Sequence, residues 1–203
     1  MAIARTANGT GTAGVDTGKT LSFNCSGGNV LFGATYQETA SSTMTYNGVS
    51  MSQVVQVADA GLGYWMTVFF LASPASGANN LVTSMTSAYN QIYAASYSGA
   101  STSTPTSFDN QKATSATTIT DTLSTTGNAW YFGMANGATL VGTVNATQLN
   151  TANATFQASY DSNGIASTSS MTVTRVGLGR IGLAGVAFQE ASTAGNSNFF
   201  AFM

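Results

Sequence analysis

Met44-Thr45-Tyr46-Asn47-Gly48-Val49-Ser50-Met51 decides the fold class. An Asn-Gly pair accepts the left-handed backbone that a two-residue hairpin turn demands, and here it separates two short strand-like runs. The same logic extends outward. In Ala154-Thr155-Phe156-Gln157-Ala158-Ser159-Tyr160, Ala154, Phe156, Ala158 and Tyr160 share one face, opposite Thr155, Gln157 and Ser159. Met171 and Val173 alternate with Thr172 and Thr174 in the same way. Strands are predicted near 20–25, 30–36, 43–46, 49–57, 64–71, 80–87, 91–97, 115–123, 129–134, 138–144, 154–160, 170–177 and 181–188, with a short last one at 199–203. No segment sustains the i, i+3, i+4 apolar spacing of a helix. One dry and one wet face per strand predicts an all-β, antiparallel, two-sheet sandwich. Residues 1–19 read as a flexible arm or a weak edge strand, and residues 20–203 as one domain.

Composition then bounds the chemistry. The chain of 203 residues holds seven acids, five bases and no histidine, so 6% of it is charged; soluble domains usually carry about a quarter. A net charge of −2 builds no field for nucleic acid or an anionic membrane. Glu38, Asp59, Asp109, Asp121, Asp161 and Glu190 each stand alone, whereas glycoside hydrolysis needs paired carboxylates. Serines are plentiful, but none has an evident base. Asp161-Ser162-Asn163-Gly164 has the oxygen spacing of half a calcium loop and reads more simply as a turn. The sequence therefore predicts no enzyme, no cofactor and no metal.

Cys25 is the only cysteine; alternating with Leu21 and Phe23, it reads as a core residue. Trp65, in the run Tyr64 to Ala72, also reads as core, and that run is too short to span a bilayer. Trp130 shares a face with Phe132. Tyr89, Tyr93, Tyr97 and Tyr160 are the tyrosines available for surface use. No signal peptide opens the chain. Polar loops at 72–80 and 98–114 carry the two prolines, Pro74 and Pro105. On a rigid sandwich such loops are where recognition is placed, with Pro74, Asn79, Tyr97, Pro105 and Asp109 as candidate contacts. Phe199, Phe200, Phe202 and Met203 put an apolar cluster at the terminus, either completing the core or covered by another subunit.

Several motifs occur in a familiar order: Ser26-Gly27-Gly28-Asn29-Val30-Leu31, the hairpin 44–51, Trp65, Leu71 to Asn80, Ala95-Ser96-Tyr97-Ser98-Gly99-Ala100, and Gly185 to Glu190. Over residues 20–190 this order resembles the concanavalin-like, lectin-like jelly-roll domains of tailed-bacteriophage virion proteins and bacterial surface proteins. The resemblance implies a jelly roll and a structural role in the virion, at the particle surface, after synthesis in the host cytoplasm. Head decoration is favoured over a tail role, since no fibre or coiled-coil segment is present. Its implied partners are the major capsid protein or another virion protein, and further copies of the chain in a multimer such as a trimer. The alternative is a carbohydrate-binding or host-adhesion module contacting a surface glycan. The family's acidic positions after Ser-Tyr-Ser-Gly are reduced here to Asp109, so an ion or sugar site does not carry over.

Overall fold

The structure, a computed structural model, describes residues 2–12, 14–38, 43–58, 63–84, 88–123, 129–137, 140–144, 147–152, 157–162 and 170–192. Among them every regular element is a strand and every pairing is antiparallel. The first half supplies β1 (Ala4–Thr10), β2 (Gly14–Asp16), β3 (Thr20–Asn24), β4 (Val30–Gln37), β5 (Thr43–Tyr46), β6 (Val49–Ser50), β7 (Ser52–Ala58), β8 (Trp65–Ala72), β9 (Ala78–Ser84) and β10 (Ala88–Ser98). The second half supplies β11 (Ser107–Thr122), β12 (Ala129–Gly137), β13 (Leu140–Val144), β14 (Thr147–Ala152), β15 (Gln157–Asp161) and β16 (Ser170–Gln189).

The expected Asn-Gly hairpin joins β5 to β6, with Asn47 at φ 50° and Gly48 at φ 75°. Three sheets result. A first has the order β1-β10-β4-β8-β7, with β2 also paired to β10; a second runs β11-β16-β12-β15-β14, with β13 on β16; a third runs β3-β9-β5-β6. The first and third sheets use only residues before position 99, and their strands interleave along the chain. The second sheet uses only residues after position 106.

Side-chain parity explains the stacking. On β4, Val30, Phe32, Ala34 and Tyr36 point toward the second sheet, meeting Trp130, Phe132, Met134, Val186 and Phe188. Leu31, with Phe69, Ile92 and Ala94, points the other way, against Phe23, Met44, Tyr46, Met51 and Leu81 of the third sheet side. The first sheet is thus an inner layer with two dry faces, which is why Trp65 to Ala72 reads as a nearly unbroken apolar run.

The second sheet is also covered on both faces, by its own end. The β11–β16 ribbon loses register between Ala113 and Thr118, and β16 turns at Gly177, φ 68°. Its distal part folds back, so Ile119, Leu123, Met171 and Val173 pack on Tyr131, Ala135 and Leu183. Tyr131 lies flat across Gly133 and Gly185 of neighbouring strands: a Cβ at Gly185 would stand 1.6 Å from its hydroxyl oxygen.

Several expectations change. Residues 4–10 are a strand hydrogen-bonded to β10, so this stretch is an edge strand rather than a free arm. The predicted strands 170–177 and 181–188 are one bent strand, because the glycines between them permit the bend without ending the pairing. The loop predicted over 98–114 ends where β11 begins, at Ser107. Trp65 is half-buried at the start of β8 instead of being core. A third sheet joins the two expected.

Gly185→Ala should lower stability by about 2–3 kcal/mol, the range of overpacking in a tight layer. Urea unfolding monitored by tyrosine and tryptophan fluorescence measures it.

Candidate functional site

Loops become sites when the framework brings them together, and Asn29 does so here. Its backbone N–H donates to the Tyr97 carbonyl at 2.7 Å, and its carbonyl accepts from Ser73 N at 2.9 Å. Its side-chain amide pairs with the backbone of Ala100: Nδ2 donates to the carbonyl, and Oδ1 accepts from the N–H at 3.3 Å. The two predicted recognition loops therefore share one end of the first sheet. Ser101 N donates to Gln189 O at 2.7 Å and Ala191 N to Gly99 O at 2.8 Å, which ties the base of the second loop to the end of β16.

Between that loop and β16 lies a cleft of about 250 Å³, lined by Pro105, the hydroxyls of Ser101, Ser103, Thr104 and Thr106, and the chain at Phe188. No titratable side chain lines it. The Phe188 ring is committed to the core, tilted against Phe32 at 4.6 Å, so the cleft offers hydroxyl, amide and backbone hydrogen bonds but no aromatic platform. Such a surface can hydrogen-bond a hydroxylated ligand or a partner loop.

Of the predicted contacts, only Pro105 lines this cleft. Pro74 is buried. Asn79 is half-buried on β9, and its Nδ2 donates to the Tyr46 hydroxyl at 3.3 Å, bracing the 76–77 turn. Asp109 lies on β11 and accepts from Thr122 N at 2.7 Å, clamping the folded-back ribbon. Tyr97 is fully buried, because its side chain is on the face of β10 that meets the second sheet; burial first, then Asp161, drives its pKa well up. Tyr93 and Tyr160 are likewise interior, which leaves Tyr89 as the half-exposed member of the four. Phe199, Phe200, Phe202 and Met203 lie outside the described residues, as do Asn163 and Gly164 of the predicted turn.

Asp161 itself ends β15, where it is fully buried. Its carboxylate accepts two hydrogen bonds from Arg5 Nη1, both at 2.8 Å, and one from the Tyr97 hydroxyl at 3.1 Å. Arg5 and Tyr97 belong to the first sheet and Asp161 to the second, so the group latches the sandwich at its margin. Among the described residues, no three or more carboxylate, thiol or imidazole groups converge to hold a metal ion.

The sequence reading missed Asp121. It sits between Ile119 and Leu123, on the parity of two core residues, and that was the available signal. It is fully buried; one oxygen accepts from Tyr131 at 2.7 Å and the other has no hydrogen-bond partner. Burial pushes its pKa up to about 7, against a lowering by Tyr131 and with a further rise from Asp109. The ordinary value is 3.8, so between about pH 4 and 7 the folded chain keeps a proton that the unfolded chain loses. Stability is thus greatest below pH 4 with respect to this group and falls by up to about 4 kcal/mol as pH rises through 7. Asp121→Asn should flatten that slope and be the more stable form at pH 8, as read from urea midpoints across the range.

Compared with known protein families, curated proteins and solved structures, the chain matches none of them.

Proposed function

We propose that this chain is a non-enzymatic structural protein of a virion, of the tailed-bacteriophage kind, that decorates the capsid surface as a multimer. The observation that carries the reading is where the carboxylates go. Asp161 holds two sheets together, Asp121 and Asp109 hold the folded-back ribbon, Glu38 accepts from Tyr64 and from Tyr89 N, and Asp16 pairs with Lys19. Framework bonds engage these five carboxylates, and what faces outward is mostly hydroxyl and amide, with few charges. Adhesion by area and hydrogen bonding is the work such a surface suits.

The strand order supports the family part of the proposal. Over residues 4–98, β1-β10-β4-β8 and β3-β9-β5-β6 interleave as two Greek keys do in a jelly roll, an architecture used by viral capsid and lectin domains. On this reading the jelly roll belongs to the first half, and the second sheet is an added layer. Fold analogy alone does not assign a function, so the virion role rests on the experiment.

A second reading, a glycan-binding module, is favoured by one feature: the hydroxyl-lined cleft beside Pro105. Cosedimentation of the purified chain with phage capsids, followed by electron microscopy, tests both. Saturable binding with regularly spaced density on the shell is expected. Absence from particles, together with glycan-array binding that Thr104→Ala weakens, would replace the first reading with the second.

A further inference from the structure

The end of the sandwich away from the cleft carries two unlike patches. One is the bend of the β11–β16 ribbon. Val176 and Leu178 are 58% and 72% exposed there, on either side of Gly177, whose left-handed φ of 68° turns the strand outward. Around them stand Lys112, Arg175 and Arg180, three of the chain's five basic residues. The ion pairs of the described residues use the other two, Arg5 and Lys19. Arg175 folds over Gly179 and donates from Nη1 to the Arg180 carbonyl at 2.9 Å, which braces the bend.

The second patch is acidic and aromatic. Val15 is 66% exposed on β2, opposite Tyr89, and the Asp16 side chain beside it is 53% exposed. Exposed Glu38 accepts from Tyr89 N at 2.8 Å and from the Tyr64 hydroxyl at 2.9 Å. Tyr64 stacks on Tyr36 at 4.8 Å, and Trp65 next to it is half-buried.

Both patches lie at the same end of the stacked sheets. Tyr36 of β4 accepts from Asn136 of β12 at 3.1 Å, and Asn136 is paired with Gly182, two residues from Arg180. A Cβ on Gly182 would touch Met66, the neighbour of Trp65.

We propose that this end is a self-association face, on which the cationic, aliphatic bend of one copy seats against the acidic, aromatic edge of a second. Charge complementarity selects the occupant: the bend is positive in a chain whose net charge is −2, so the rest of a second copy attracts it. Because both patches lie at one end, a two-fold axis between them makes the same contact twice and closes the pair. Each exposed charge pair adds little, so burial of Leu178, Val176 and Val15 supplies most of the affinity and the charges set the register. The proposal does not depend on the virion reading.

Sedimentation velocity of the full chain, over a concentration series at low and high salt, tests it. A monomer–dimer equilibrium is expected that weakens about tenfold when salt rises from 0.05 to about 0.5 M. Leu178→Ser, Arg180→Glu and Asp16→Lys should each weaken it by about tenfold or more. Phe108→Ser, which alters a 51% exposed ring beside the cleft, should leave it unchanged. Circular dichroism of each variant separates lost association from lost folding. A chain that stays monomeric throughout, or a dimer indifferent to Leu178→Ser and Arg180→Glu while both remain folded, would overturn the proposal. Capsid binding by a monomeric Leu178→Ser variant would leave the capsid-binding part of the virion reading standing, so the two fail separately.

Discussion

Phe32 is the point on which the molecule turns. Its ring lies 5.3 Å from Phe70 within its own sheet, and 5.4 and 4.6 Å from Phe132 and Phe188 of the sheet built by the second half. Tyr97 closes the cluster against Trp130 and Phe188. Each such ring buried is worth about 1.5–3 kcal/mol in water exclusion alone, with a further increment from tilted and edge contacts. Among the described residues the two halves pair no named strands with each other within a sheet, so this aromatic seam is the main contact that joins them. The Arg5–Asp161–Tyr97 latch then fixes their alignment at the margin, where a misaligned interface would leave a buried carboxylate without its cation.

The scarcity of charge gives each remaining charge unusual weight. Asp161 is buried with a guanidinium, whereas Asp121 is buried with a phenol and faces Asp109. The first carboxylate has a cation beside it, and the second, buried without one, favours its proton. Both act between layers, which is why neither lies in the cleft. A surface with so few charges has little repulsion to keep other molecules away.

The added layer also explains how the two interleaved sheets of the first half acquire a surface of their own. A sheet with one wet face would have needed polar residues at Phe32, Val68 and Tyr93; covering that face lets them remain apolar and exports the polar surface to the outer ribbon. Thr118, Thr120 and Thr122 stand there, with the Thr120 and Thr172 hydroxyls 2.6 Å apart across the strands. The hydroxyl-rich exterior and the dry interior are two consequences of the same stacking.

Local pattern alone determined the all-β class, the Asn47-Gly48 hairpin, the core role of Cys25 and the partnership of Trp130 with Phe132. Each follows from the period-two geometry of a strand or from the φ a turn requires, and neighbours in sequence suffice to specify them. Tertiary structure decided which face of a strand meets which layer, and no period reveals that. One wet face per strand makes Tyr97 a candidate surface contact; an inner sheet has no wet face, and Tyr97 is buried. Asp161 reads in sequence as a turn residue, since its guanidinium partner lies 156 positions away. Asp121 acquires its displaced pKa only when the ribbon folds back over Tyr131, an event set by register slips and one left-handed glycine rather than by the residues on either side of it.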